Sequence, residues 1–394
     1  MAEAFLVGGV RTPIGRFRGC LASVRPDDLA ALVLAETVSR SAVPPDAIDE
    51  VLFGAANQAG EDTRNVARMA LLLAGLPDRI PGVTINQLCA SSLAAVTMAA
   101  QAVKAGEAEL VLAGGVESMT RAPWVQAKPE KAFAGPGEIA DTSIGWRFTN
   151  PRFLKRPKAT YSMTQTAEEV ADLDGISRSD ADAFALASHQ KAVAAQDAGR
   201  FAAEIVSVPT PNGEVTADEG PRRDTSAEVL AGMRSIVRDS GVVTAGNSSS
   251  LNDGAAAVVV ASGEAVEKYG LTPRARILGG ASAGIAPEIM GLGPVPATEK
   301  LLARLRLTVA DLDAIELNEA FATQSLACIR RLGFDPDLVN RDGGAIALGH
   351  PLGASGTRIL LTLLGRMDRE HARRGLATMC VGIGQGASLA VEAV

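Results

Sequence analysis

Thr84-Ile85-Asn86-Gln87-Leu88-Cys89-Ala90-Ser91-Ser92 begins as an apolar run with the pattern of a buried strand and turns at once into small residues, with a cysteine at the junction. Leu93, Val96, Ala100 and Val103 recur three or four apart and Gly106 follows as a stop, so the spacing predicts a helix over 91–104. A strand feeding directly into a helix is the unit of a layered α/β protein. A thiol at a helix N-terminus also faces unpaired N–H groups and the positive end of the macrodipole, which stabilise thiolate and are expected to lower its pKa. The same cysteine could be a small core hydrophobe, and this stretch alone leaves both readings open.

Outward from it, the same grammar repeats. Phe5 to Val10, Asp49 to Gly54 and Glu109 to Ala113 read as strands, and helices are expected from Asp27 and over Asn65–Ala74, the latter closed by Gly75 and Pro77. Such alternation predicts a mainly parallel sheet covered on both faces. After Ser118 five prolines and both tryptophans interrupt the pattern, which marks an insertion of loops and helices, one helix capped by Ser177 or Ser179 and ending near Gly199. Sheet pattern is expected to return near Val242 and run through Ala256–Val260.

The last third repeats the first. Asp46-Ala47-Ile48-Asp49-Glu50-Val51-Leu52-Phe53-Gly54 resembles Ala310-Asp311-Leu312-Asp313-Ala314-Ile315-Glu316-Leu317-Asn318, and each is followed about forty residues on by a helix, 91–104 or 355–367, and a strand closing on glycines. The expected organisation is a first half over 1–118 continued by 250–270, an insertion over 119–249, and a second half over 271–394. Two such halves would face one cleft with their strand ends and helix starts.

With 394 residues and 47% hydrophobic content, the chain can bury more than one core. A net charge of −7 argues against nucleic acid or an anionic membrane as partner, and no leader or membrane-spanning stretch is expected. Cys20, Cys89, Cys328 and Cys380 are widely spaced and only three histidines exist, His189, His350 and His371, so reduced thiols, a cytoplasmic location and no metal are expected. His189 and His371 read as helix-surface residues, and Cys328 as lying on an apolar helix face. Neither a G-x-G-x-x-G site, a phosphate loop nor a G-x-S-x-G elbow occurs.

Three further segments carry chemistry-bearing residues: Asn318-Glu319-Ala320-Phe321, Gly349-His350-Pro351-Leu352-Gly353 at a helix start, and Cys380-Val381-Gly382-Ile383-Gly384 after a strand. With the Cys89 stretch and Ala245–Gly254, they resemble the thiolases, acyl-CoA acyltransferases that make or cleave 3-oxoacyl-CoA. The resemblance runs through nearly the whole chain. It implies two α/β halves in a five-layer α-β-α-β-α arrangement, an inserted CoA-binding loop domain, CoA and acyl-CoA as substrates with no tightly bound cofactor, and a homodimer or homotetramer.

Residue by residue, the resemblance makes Cys89 the acylated nucleophile, His350 its base and Cys380 the acid/base at the α-carbon. Asn318 would hold a water that, with His350, binds one thioester oxygen, while the N–H groups of Cys89 and Gly382 form the other oxyanion hole. Arg222 would lie near the CoA phosphates, with Ser249, Met163 and Phe321 beside the pantetheine and thioester. Ser92, Ser250 and Ile383 stand where glycine is usual, and Ser162 precedes Met163 where many short-chain members have histidine. These departures bear on acyl-chain preference.

Asp141-Thr142-Ser143-Ile144-Gly145-Trp146-Arg147-Phe148-Thr149-Asn150-Pro151, with Asn57 to Asp62, is similar to the 3-oxoadipyl-CoA thiolases of aromatic-compound degradation. The resemblance implies cleavage of 3-oxoadipyl-CoA to succinyl-CoA and acetyl-CoA, with acetoacetyl-CoA or longer-chain thiolase activity as the alternative. Arg147, between two aromatic residues, is then the candidate partner for the substrate's far carboxylate, unless it pairs with Asp141. A decarboxylating condensing synthase would need a richer histidine set than His350, and a silent CoA-binding scaffold would not need Cys89, His350 and Cys380.

Overall fold

The computed structural model describes residues 2–394. In chain order the first part runs β1 (Ala4–Arg11), β2 (Gly15–Arg16), α1 (Pro26–Arg40), β3 (Glu50–Gly54), α2 (Val66–Leu73), β4 (Gly82–Ile85), α3 (Ser91–Ala105) and β5 (Leu110–Ser118). Two short hairpins follow, β6 (Trp124–Gln126) with β7 (Ile139–Asp141) and β8 (Val208–Thr210) with β9 (Gly213–Val215), around α4 (Pro151–Leu154), α5 (Met163–Asp174) and α6 (Arg178–Asp197), then α7 (Ala227–Ala231). The remainder is β10 (Asn252–Ser262), α8 (Gly263–Tyr269), β11 (Ala275–Gly284), α9 (Pro294–Leu305), β12 (Ala314–Leu317), α10 (Ala322–Leu332), α11 (Ala345–Leu348), α12 (Leu352–Glu370), β13 (Arg374–Val381) and β14 (Gln385–Ala393).

The main sheet has the order β12-β13-β14-β11-β1-β10-β5-β3-β4, with β2 on β10. Each half supplies one side, and the join is the short β1/β11 ladder. Helices α3 and α12 pack on each other and on strands of both sides, so they form the middle layer; α1 and α2 cover the far face of the first side and α9 and α10 that of the second. Helix, sheet, helix, sheet, helix gives the five expected layers. Leu88–Ala105 is, against expectation, long and apolar enough by length and composition to cross a membrane, and it is apolar because it lies in that middle layer.

The mainly parallel sheet is not found. Only β3/β4, β3/β5 and β12/β13 are parallel. β10 returns from the insertion to run against both β1 and β5, and β14 folds back on β13 through a three-residue turn, Gly382 to Gly384, so the central ladders are antiparallel. Alternating strands and helices fix the direction of β3, β4 and β5 but not of strands reached by a long excursion or a hairpin. For the same reason the strand expected near Val242 starts only at Asn252; residues 242–251 form a loop threaded between the insertion and the second half.

The repeat holds in detail. Asp49 Oδ2 accepts the N–H groups of Glu109 (2.7 Å) and Leu110 (2.9 Å), and Asp313 Oδ2 accepts those of Arg373 (3.0 Å) and Arg374 (2.8 Å). One aspartate thus sets the start of the equivalent strand in each half. The insertion is tied back by a buried ion triad, in which Arg11 of β1 reaches Asp218 (2.7 Å) and Glu204 (2.7 Å).

Candidate active site

The strand-to-helix junction is built by its own side chains. Asn86 Oδ1 accepts the N–H of Leu88 at 2.9 Å, and Ser91 Oγ accepts that of Gln87 at 2.9 Å while donating to Leu88 O at 2.6 Å. Leu88 is thereby held at φ +49°, an uncommon conformation for a bulky residue, and Cys89 follows in a single 3₁₀ turn before α3. That turn packs against α12 and β13, the elements of the other half. The nearby N–H groups of Gly382 and of Cys89 itself favour thiolate. They do not win: burial of the thiol, 8% exposed, pushes its pKa up to about 11. The expected low-pKa thiolate is therefore corrected to a neutral thiol, because desolvation outweighs the donors at the helix start.

His350 is supplied by the loop between α11 and α12. Gly349 before it has φ +110°, and a Cβ there would stand 2.5 Å from Asn252 Nδ2, so only glycine fits. The His350 N–H donates to Asn252 Oδ1 at 2.9 Å. Its Nδ1 lies 2.6 Å from Ser355 Oγ, and the Ser355 hydroxyl itself donates to Pro351 O at 2.9 Å. This network assigns the proton to Nδ1 and leaves the Nε2 lone pair as acceptor, with Asn318 Nδ2 at 3.4 Å. Burial, then the charge of Arg358, pulls His350 down to about 3, so the ring is a neutral base.

Cys380, at the end of β13, is fully buried, and its thiol is held well above the ordinary range by burial first, and then by the neighbouring thiols of Cys89 and Cys328. It packs with Phe321, Ala320 and Met290, and Met163 borders the same cluster. Ser249 donates its N–H to Ala320 O at 2.9 Å, which sets it beside that wall. Arg222 lines a neighbouring cleft of about 310 Å³ together with Arg16, His189, Met233, Ser248 and Ser250. His189 is not the surface residue expected: it is 5% exposed, its Nδ1 accepts the Arg222 N–H at 3.2 Å, and burial draws it down to about 4. His371 caps the C-terminus of α12 on the surface and Cys328 is buried in α10, both as expected.

The departures from glycine find partners or strain. Ser92 Oγ accepts the N–H of Thr357 at 3.0 Å, and Ser250 Oγ donates to Asn252 Oδ1 at 3.0 Å. Ser162 caps α5 in a reciprocal box with Gln165. Ile383 sits at φ +63°, a strained setting for a β-branched side chain.

Arg147 donates to Asn57 Oδ1 at 3.1 Å and, among the described residues, makes no ion pair. Asp141 is engaged elsewhere, by Trp124 Nε1 (3.3 Å) and Ser143 N–H (2.8 Å). Trp146 packs on Phe153 with ring centroids 5.4 Å apart, whereas Phe148 is 61% exposed and forms no second wall. A separate depression of about 760 Å³ around Arg25, Glu61, Arg64 and Arg121 is lined by neither cysteine nor histidine.

Two residues that sequence reading passed over belong to this constellation. Asn252 was hidden in a loop motif. Glu117, at the end of β5, is 2% exposed and accepts three backbone N–H groups, from Ala56 (3.0 Å), Asn57 (3.2 Å) and Gly353 (2.8 Å). A carboxylate after Gly114-Gly115 on an otherwise apolar strand was its only signal.

A thiol on a strand-turn-helix junction, packed on the elements of a duplicated half that carry or adjoin a second thiol and a histidine, defines a class, and the sequence agrees: the chain belongs to the thiolase family of acyltransferases, matching the thiolase N-terminal domain over residues 4–264 and the C-terminal domain over 271–393. It is 58% identical to the beta-ketoadipyl-CoA thiolase of Pseudomonas aeruginosa, over 100% of this chain and 99% of that protein. It is 52% identical to the 3-oxoadipyl-CoA/3-oxo-5,6-dehydrosuberyl-CoA thiolase of Escherichia coli, over 100% of both. Among solved structures, human mitochondrial 3-ketoacyl-CoA thiolase in complex with CoA superposes with a TM-score of 0.93 at 36% identity, covering 100% of this chain and 98% of that one.

Proposed function

We propose that the protein cleaves 3-oxoadipyl-CoA with CoA to succinyl-CoA and acetyl-CoA through an acyl-Cys89 intermediate. The observation that supports the chemistry is that the turn carrying the neutral buried thiol, Cys89, packs on α12, the helix that follows a histidine whose Nε2 is kept unprotonated by the bond at its Nδ1. His350 takes the Cys89 proton as sulfur attacks the 3-keto carbon, and the N–H groups of Cys89 and Gly382 receive the developing oxyanion. The bond between C2 and C3 then breaks; its electron pair becomes the enolate of acetyl-CoA, which takes a proton from Cys380 while His350 and a water held by Asn318 bind the enolate oxygen. An incoming CoA thiol gives its proton to the Cys380 thiolate and attacks the acyl-cysteine; succinyl-CoA leaves as the released Cys89 sulfur takes back the proton held by His350. Cys380 is suited to the carbon side because a thiol held well above the ordinary range is a proton store rather than a competing nucleophile.

The insertion over 119–249 is read as the CoA-binding domain, with Arg222 toward the phosphates and Ser249, Met163 and Phe321 along the pantetheine and thioester. Self-association as a dimer or tetramer fits the exposed apolar groups on the edge strand β4, at the end of α2 and on the β6/β7 hairpin, Val83 (43% exposed), Leu73 (52%) and Phe133 (108%). Four unpaired cysteines fit a reducing compartment, the cytoplasm.

The substrate assignment rests on the two curated relatives and on Arg147, a guanidinium without an acidic partner. Arg147→Gln is expected to lower kcat/KM for 3-oxoadipyl-CoA roughly ten- to hundredfold relative to acetoacetyl-CoA, the range for one charge-assisted pair. A thiolysis panel with acetoacetyl-CoA, a medium-chain 3-oxoacyl-CoA and 3-oxoadipyl-CoA measures it. Equal loss on all three would make Arg147 structural, and wild-type protein that ignores 3-oxoadipyl-CoA would leave a general thiolase.

A further inference from the structure

Nucleophile and base come from different halves of the molecule, so something must register one half on the other. Three buried side chains of the first half accept backbone N–H groups from the single segment that begins at His350. Asn252 Oδ1 takes that of His350 (2.9 Å), Glu117 Oε2 that of Gly353 (2.8 Å) and Ser92 Oγ that of Thr357 (3.0 Å). The seam is closed to any slack: a Cβ on Gly353 would stand 2.4 Å from Val116 O, and one on Gly115 would stand 2.1 Å from Gly353 O and 2.8 Å from Ser92 Cβ.

Glu117 is the hub of this clasp. The oxygen that holds Gly353 also holds Ala56, and the other holds Asn57, so one carboxylate pins the loop after β3 and the first turn of α12 together. Gly353 lies in that first turn, where an anion is favoured by the helix dipole. Ser92 lies in the first turn of α3, directly after the Cys89 turn.

We infer that Glu117, with Ser92 and Asn252 beside it, is a positioning residue that sets the distance between the Cys89 sulfur and His350. It rests on the roles given above to those two residues. Glu117 and Ser92 line no part of the cleft with Arg222, which the clasp adjoins only at Asn252, through the Ser250 hydroxyl, so KM for CoA is not expected to depend on Glu117.

Glu117→Ala removes both acceptor oxygens, and with them all three bonds, and is expected to lower kcat ten- to hundredfold, the scale for reacting groups misplaced by about an ångström. KM for CoA should stay within about twofold of wild type. Glu117→Gln keeps one carbonyl oxygen for Ala56 and Gly353, forfeits only the longest bond, to Asn57, and should recover most of the loss. A wild-type kcat in Glu117→Ala, a loss carried by KM, or a Glu117→Gln no better than Glu117→Ala would each overturn the inference. If Glu117→Ala does not fold, Ser92→Ala decides it: kcat must fall several-fold at unchanged KM, and a wild-type kcat overturns it. Acylation of wild-type Cys89 by acetyl-CoA, run alongside, separates the two levels, since its failure would sink the Cys89 reading itself rather than the clasp.

Discussion

Cys380→Ser is expected to lose exchange of the α-protons of acetyl-CoA by roughly a hundredfold or more, the range for a removed acid/base group, while Cys89 still acquires an acetyl group at a rate of the same order as wild type. The two thiols are close enough for the charge of Cys89 to raise Cys380, yet Cys89 has two backbone N–H groups favouring its thiolate, its own and that of Gly382, where Cys380 has only its own. Serine fills nearly the same buried space at Cys380, and its hydroxyl is a far weaker acid at the carbon than a thiol. Deuterium uptake into the acetyl methyl group in heavy water reads the exchange, and peptide mass spectrometry reads the acylation. A parallel fall of both with an unchanged circular dichroism spectrum would contradict the division of labour.

His350→Gln should slow acylation of Cys89 about a thousandfold, again within the range for a general base. The pH dependence gives the sharper signature. With His350 drawn down to about 3 and Cys89 pushed up to about 11, the resting pair is neutral between those limits, so wild-type acylation is expected to be nearly flat from pH 6 to 8. Without the base, only the thiolate fraction reacts, and below the thiol's pKa that fraction rises tenfold per pH unit. Rapid-quench measurement of acylation across that range should therefore show a slope near one in the variant. A flat profile in His350→Gln, or a wild-type rate that climbs with pH, would mean that the thiol ionises without His350.

What the sequence made legible was local. The helix starts at Asn65 and Ser177, the stop at Gly106 and the presence of a strand before Cys89 could be read because capping and periodicity act within a few residues, but that strand, β4, is a half-exposed edge strand and not the buried one its apolar run predicted. The duplication was legible because Asp49 and Asp313 perform the same task in each half. Strand direction was not, since β10 and β14 take theirs from an insertion and a hairpin rather than from their own residues. The sign of the Cys89 shift escaped for a related reason: the helix start is visible in the sequence, but the burial that opposes it comes from β13 and α12 of the distant half. Glu117 and His189 were missed because a lone carboxylate or imidazole carries no spacing signal, and their roles exist only once Gly353 or Arg222 is brought against them.

The most direct test of the account is incubation of the purified protein with acetyl-CoA alone, followed by intact-protein and peptide mass spectrometry. An activated thiol should exchange thioesters before a second substrate arrives. The account predicts a single added acetyl group, located on Cys89 and discharged by free CoA; an acetyl group on Cys20 or Cys328 instead, or none at all, would contradict it.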